Sequence, residues 1–248
     1  GSIMSKKLAA GLDALVLDVK FGSGAFMKDA VQAEALAESL VATGRRMGVP
    51  TTALLTDMNQ CLGRMAGNAV EVDESLAALE GRGPADLMEA TYALGAELLV
   101  TVGKSETLAS ARETLEDVIR TGAAREKFAQ MIAAQGGDLS APRPVAPASE
   151  VCAAHGGYIH SIDAEALGRT IIEMGGGRRQ KGDVLDHSTG IESLVRIGDE
   201  VDKGQPLFRV FGHAKHAEQV RQMVQAAVTL GAESTPQPPL ILKRIASA

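Results

Sequence analysis

Two short apolar runs constrain this chain more than any other feature. They are DALVLDV, from Asp13 to Val19, and TTALLTDM, from Thr51 to Met58. Each is apolar almost without a break and rich in β-formers, the pattern of a strand covered on both faces in a parallel sheet. Between them, Asp29 to Met47 has helical periodicity, with Asp29 at the N-cap place and Gly48-Val49-Pro50 as a breaker. This β–α–β succession predicts an α/β fold with a partial mixed or parallel sheet and flanking helices.

The flanks extend the pattern. Ser2 to Leu12 reads as a helix that Gly11 helps to end, and KFGSGAFM, Lys20 to Met27, as a glycine turn at the carboxyl end of the first strand. From Glu74 to about Gln135 the periodicity is helical, with segments over Asp86 to Val102 and Ser105 to Ile119, the latter capped by Ser105. Gly136 to Glu150 concentrates Gly, Pro and Ser and reads as a linker. Beyond it come a short strand (GGYIHSID), a helix (AEALGRTIIEMGG), two short strands between Gly190 and Gly212, an amphipathic helix over Lys215 to Leu230, and PPLILKRIAS. The expectation is two units: a partial α/β domain at 1–140 and a smaller α+β domain at 150–248.

Composition narrows the function. The net charge of -6 argues against a general nucleic-acid face, which must be basic. No apolar run approaches the ~20 residues that cross a bilayer, so no membrane partner is expected. With only 3% aromatic residues and no Trp, the core must come from Ala, Val, Leu, Ile and Met. Cys61 and Cys152 are far apart in sequence and read as free thiols of a reducing cytoplasm.

Several stretches could carry chemistry. Ser2 and Lys6 are four apart and share a helix face, so a hydroxyl and an ammonium could grip a small polar ring; equally, they could be an N-cap and a solvated charge. Phe26 in the glycine turn could wall a planar ligand or fill the core. Asp57 to Glu74 is rich in oxygen ligands of the kind hard cations favour, and could equally be a capped loop entering a helix. Asp186 to Ile191, DHSTGI, looks like part of a phosphate loop but lacks a following Gly and a helix start, and reads as a turn. His213 and His216 have no third ligand at metal spacing. Gly175 to Asp183 is a basic turn. IGDEVDKGQPLFRV resembles half of a biotinyl or lipoyl module without the modified Lys at its tip.

Taken together, SIMSKKLAAGLDALVLDVKFGSGAFM, TTALLTDMNQ, AGNAVEV and EALGRTIIEMGGGRRQKGD resemble the thymidine phosphorylase and pyrimidine nucleoside phosphorylase family, in order along nearly the whole chain. The resemblance is to the carboxyl-terminal part of longer, homodimeric proteins. It implies a pentosyltransferase that phosphorolyses pyrimidine nucleosides with inorganic phosphate. It implies that Ser2 and Lys6 bind the pyrimidine ring, with Lys6 catalytic, and that Phe26 lines the base pocket. It implies a potassium ion, and no other cofactor, held in part by the backbone carbonyls of Leu62 and Met65 and by Glu74, with half of the cation site belonging to the family's preceding region; Cys61 stands where many members carry Pro. The family's Lys-His-Ser-Thr-Gly-Gly phosphate loop does not occur in these residues, so no phosphate ligand is assigned here and the chain alone is expected to be inactive. The competing readings are a related phosphoribosyltransferase and a non-catalytic biotinyl-like binding module.

Overall fold

The computed structural model describes residues 2–214 and 217–246, Ser2 by its backbone alone. Helix α1 (Ser2–Ala9) leads into strand β1 (Leu15–Phe21), helix α2 (Ala30–Arg46) and strand β2 (Thr51–Asp57). The strands pair in parallel, from Leu15 opposite Thr51 to Phe21 opposite Asp57. Asp29 caps α2 as expected, its carboxylate accepting the Gln32 N–H at 2.8 Å. Ala33, Ala37 and Val41 bury one stripe of α2 against Val19, Ala53 and Leu55. Gly44 lets the helix come close: a Cβ there would lie 2.0 Å from the Thr51 hydroxyl.

Every residue of β2 is buried. Such a strand needs both edges paired, because a buried backbone N–H or C=O without a partner is costly. The far edge is taken by strand β10 (Ile241–Ala246), antiparallel to β2, so the order is β1-β2-β10 and the sheet is mixed. This corrects the expected boundary, which placed the last residues in the second unit. Apolar residues of PPLILKRIAS complete the first sheet, and neighbouring basic residues fasten it. Lys243, opposite Leu55, pairs with Glu34 of α2; Arg244, opposite Leu54 and so on the other face, pairs with Glu97.

Glu97 belongs to α4 (Ala85–Thr101), one of four helices that follow a short strand β3 (Met65–Gly67): α3 (Ala69–Leu79), α4, α5 (Leu108–Arg120) and α6 (Ala123–Ala134). The cap of α5 is Thr107, not Ser105. Thr107 and Ser110 form a reciprocal capping box that Leu108, the N3 residue of a Ser105 cap, could not complete.

The second unit has two antiparallel sheets. One is ordered β3-β6-β8-β4 and the other β7-β5-β9, built from β4 (Ala148–Cys152), β5 (Gly157–Ile162), β6 (Gly190–Ser193), β7 (Glu200–Val201), β8 (Pro206–Phe211) and β9 (Val228–Gly231). Helices α7 (Ala164–Glu173) and α8 (Ala217–Ala226) complete it. The expected helix over Lys215 to Leu230 is thus shorter, and Val228 to Leu230 pair with β5 instead. The core is aliphatic apart from Phe208, which is fully buried with Ile159, Leu167, Ile191 and Val224. Since β3 comes from the first half of the chain and β10 from the end, each unit lends the other a strand.

Leu55 is wholly buried between β2 and α2. Leu55→Ala is expected to lower the unfolding free energy by about 2–5 kcal/mol, measured by urea denaturation.

Candidate active site at the carboxyl ends of β1 and β2

In open α/β sheets ligands gather beyond the carboxyl ends of parallel strands. Here those ends are two loops, residues 22–29 after β1 and 58–64 after β2.

The first loop is tightly made. Gly22 has φ 116, and any side chain there would strike that of Asn59. The Gly22 N–H donates to the Met27 carbonyl, the Gly24 N–H to the Met58 carbonyl and the Ala25 N–H to the Gly22 carbonyl. Ser23 faces the second unit: its hydroxyl donates to the Ile162 carbonyl at 2.9 Å and accepts the Ala164 N–H at 3.1 Å, at the start of α7. Lys28 adds an ion pair to Glu165 at 2.7 Å. A Cβ on Gly24 would lie 2.8 Å from that of Ala164. Gly24 therefore serves close docking of the second unit, while Gly22 makes room for Asn59. Phe26 does not fill the core; it stands 94% exposed above buried Ala25.

Lys6 lies exposed in the last turn of α1, where the helix dipole favours a cation, and has no hydrogen-bond or ion partner among the described residues. The side chain of Ser2 lies outside the described residues, so the expected Ser2–Lys6 pair is represented by Lys6 alone.

The second loop is held by carboxylates, while Asn68 at the N-cap of α3 makes no side-chain cap bond. Asp57 ends β2; its carboxylate accepts the Asn59 side-chain N–H at 2.6 Å and the Asn59 backbone N–H at 3.2 Å. Burial raises its pKa above the ordinary 3.8, opposed by those bonds and by the Lys20 charge. Lys20 itself pairs with Asp18 at 2.8 Å, and Asp18 also accepts the Thr56 hydroxyl. Glu74 reaches back from α3 to accept the N–H groups of Arg64 at 2.9 Å and Met65 at 3.3 Å. Its carboxylate fills the space beside Gly63, where a Cβ would lie 2.4 Å from Oε2. Burial raises the Glu74 pKa also. The Cys61 thiol is pushed up to about 11, chiefly by burial, and stays protonated at neutral pH.

The loop is braced from the second unit by residues the sequence did not mark. Arg196 donates to the Cys61 carbonyl at 2.7 Å and to the Gly63 carbonyl, and pairs with Asp86 at 3.0 Å. The Ile197 N–H donates to the Gln60 side chain at 3.0 Å. The Ser193 N–H donates to the Arg64 carbonyl at 2.7 Å. Narrow and wide pairs alternate in an antiparallel ladder, so Met65, opposite Glu192, turns its own carbonyl away from β6, toward the side where Glu74 meets its N–H. The Leu62 carbonyl accepts no hydrogen bond among the described residues. Leu62, Met65 and Glu74 are thus brought to one loop.

The remaining stretches are occupied by their own side chains. Asp186 accepts the Ser188 hydroxyl at 2.6 Å and N–H at 3.0 Å and contacts His213 at 3.0 Å. The Ser188 hydroxyl, with those partners, holds the Asp186 carboxyl below its usual range, so an anion occupies the interior of that turn. In the basic turn, Asp183 takes the N–H groups of Arg179 and Gln180, and Arg179 pairs with Glu173. His216 lies outside the described residues.

The chain is thus an α/β domain whose loops are braced by a small α+β unit. Residues 2–125 match the glycosyl transferase family, a/b domain. Residues 158–231 match the pyrimidine nucleoside phosphorylase C-terminal domain. The chain belongs to this glycosyl transferase family. It is 44% identical over 255 residues to a thymidine phosphorylase of Burkholderia cenocepacia, covering 98% of this chain and 58% of that protein. It is 41% identical over 250 residues to a pyrimidine-nucleoside phosphorylase of Staphylococcus aureus, again covering 98% of this chain and 58% of the relative. The chain thus spans less than two thirds of the length of these relatives.

A carboxyl whose folded pKa exceeds its unfolded one favours the fold while protonated, below about pH 4, and that contribution is lost as pH rises through the folded value. Asp57→Asn is therefore expected to gain stability relative to the wild type between about pH 3 and about pH 7. Unfolding midpoints across that range check it.

Proposed function

We propose that this chain supplies the base-binding part of an enzyme that phosphorolyses pyrimidine nucleosides. The reading is carried by its similarity, over 98% of its length, to proteins named thymidine phosphorylase and pyrimidine-nucleoside phosphorylase. The exposed Phe26 ring, at the carboxyl end of a parallel strand, supports it.

In that reaction an oxygen of inorganic phosphate bonds to C1′ of the sugar. The C1′–N1 bond breaks and its electron pair leaves on the pyrimidine. Lys6, whose ammonium has no partner among the described residues, donates to the base where negative charge grows, and Ser2 donates beside it; donors aimed at developing charge act on the transition state more than on the ground state. Phe26 offers its face to the planar ring. Phosphate is held by residues outside this chain, in a longer protein that works as a homodimer; both points rest on the family resemblance. Free thiols at Cys61 and Cys152 support a reducing, cytoplasmic setting.

Potassium is part of the same reading, and the loop suits it. The Leu62 and Met65 carbonyls and the Glu74 carboxylate are all oxygen donors, the type that hard cations take, and they carry one negative charge among them. Bound there, the ion would supply only charge and a junction stiffening the loop after β2.

Two outcomes test the proposal. The 248 residues alone are expected to release no thymine from thymidine and phosphate, followed by chromatography. In a protein of the relatives' full length carrying this chain, Lys6→Ala is expected to lower kcat/KM for thymidine by roughly 10²–10³. Unchanged kinetics in that variant would remove Lys6 from the mechanism.

A further inference from the structure

We propose that Arg196 is a positioning residue for the potassium loop, acting from the second unit to set which carbonyls remain for the ion. The proposal rests on the potassium reading above. Its observation is separate, a guanidinium that bridges three groups at once. One arm holds the Cys61 carbonyl and the other holds the Gly63 carbonyl, while Asp86 pairs with the second arm at 3.0 Å. Between the two occupied carbonyls lies that of Leu62, which has no partner among the described residues. Arg196 thus consumes the carbonyls on either side and leaves the middle one for a cation.

The surrounding bonds keep this grip in place. The Arg196 N–H donates to Asp199 at 2.7 Å, which fixes the turn carrying the side chain. The Gly63 N–H donates to Asp86 at 3.2 Å, so the same carboxylate that pairs with the guanidinium also holds the loop. Only 22% of the Arg196 side chain is exposed. Charge balance fits as well. Asp86 pairs with Arg196 and Glu192 pairs with Arg64 of the loop, which leaves Glu74 to face a monovalent ion. A cation beside an uncompensated guanidinium would be repelled.

Groups that orient metal ligands from outside typically alter metal affinity 10- to 100-fold when removed. The test is a potassium titration of a protein of the relatives' full length carrying this chain, followed by thermal unfolding, at constant ionic strength with tetramethylammonium chloride as the balancing salt. The wild type is expected to show a saturable, potassium-specific rise in midpoint. Arg196→Gln is expected to need at least ~10-fold more potassium for the same rise. Arg244→Gln is the control for a merely structural role: it breaks another tie between elements and is expected to lower the midpoint while titrating like the wild type. If Arg196→Gln does not fold, Arg196→Lys keeps the charge but cannot span two carbonyls and Asp86, and the same ~10-fold loss is expected. Wild-type potassium response in the Arg196 variants would overturn the positioning role and leave the potassium reading standing, and an equal loss in Arg244→Gln would assign the effect to general stability. A wild type without any potassium-specific rise would remove the potassium reading, and the role of Arg196 with it.

Discussion

A strand buried on both faces must have both edges paired, and β2 is such a strand. Its seven residues are all buried. One edge is satisfied locally, by β1 across the α2 crossover. The other is satisfied by β10, nearly two hundred residues later. The apolar side chains supply most of the energy, since a fully buried Leu contributes about 1.5–3 kcal/mol. The ion pairs of β10 work differently. Lys243–Glu34 is exposed and worth at most about 1 kcal/mol. Arg244–Glu97 involves a carboxylate only 4% exposed, so losing the arginine would strand a buried charge. Because adjacent β10 residues point to opposite faces, the two pairs can both form in only one register. They select how β10 pairs more than they hold it there.

That arrangement places the loops after β1 and β2 against the second unit. Each loop has a polar residue at the contact, Ser23 of the first loop and Arg196 reaching the second from the second unit, and Gly24 allows the first loop's close approach. One side of each loop is thereby committed to docking. The ring of Phe26 on the first loop is exposed, and the Leu62 carbonyl on the second has no partner among the described residues. The second unit therefore bears on these loops as an additional brace.

How much of this was legible follows from range. Asp29 as a cap, β1, β2 and α2 were readable because their signals are local and repeat over seven to seventeen residues. Strands β3, β9 and β10 were not, because each has three to six residues and is a strand only by virtue of a distant partner. Thr107 lost to Ser105 in the sequence because both are cap formers; only the reciprocal bond from Ser110 decides. The loop from Leu62 to Glu74 was legible as an oxygen-rich stretch, yet Arg196 was not, since the grip crosses 133 to 135 residues and nothing in LVRIGDEV announces it. Phe26 remained open between core and ligand wall because a turn sequence does not say which way a ring points.

The exposure of Phe26 carries more weight than exposure alone normally does. Single apolar residues on a surface are ordinary. This ring is different because the turn beneath it is rigid, held by three backbone hydrogen bonds, by Asn59 accepting the Ser23 N–H at 2.9 Å, and by the Ser23 hydroxyl. The backbone entropy of ordering that loop is already lost in folding. A planar base that stacks on the ring gains the contact, of the order of 1–3 kcal/mol for base–aromatic stacking, without ordering the loop first. Lys6 is a long, exposed side chain with no partner among the described residues and is not held in this way. In the proposed reading, the ring is the fixed platform that sets the plane of the base, and Lys6 is the adjustable charge.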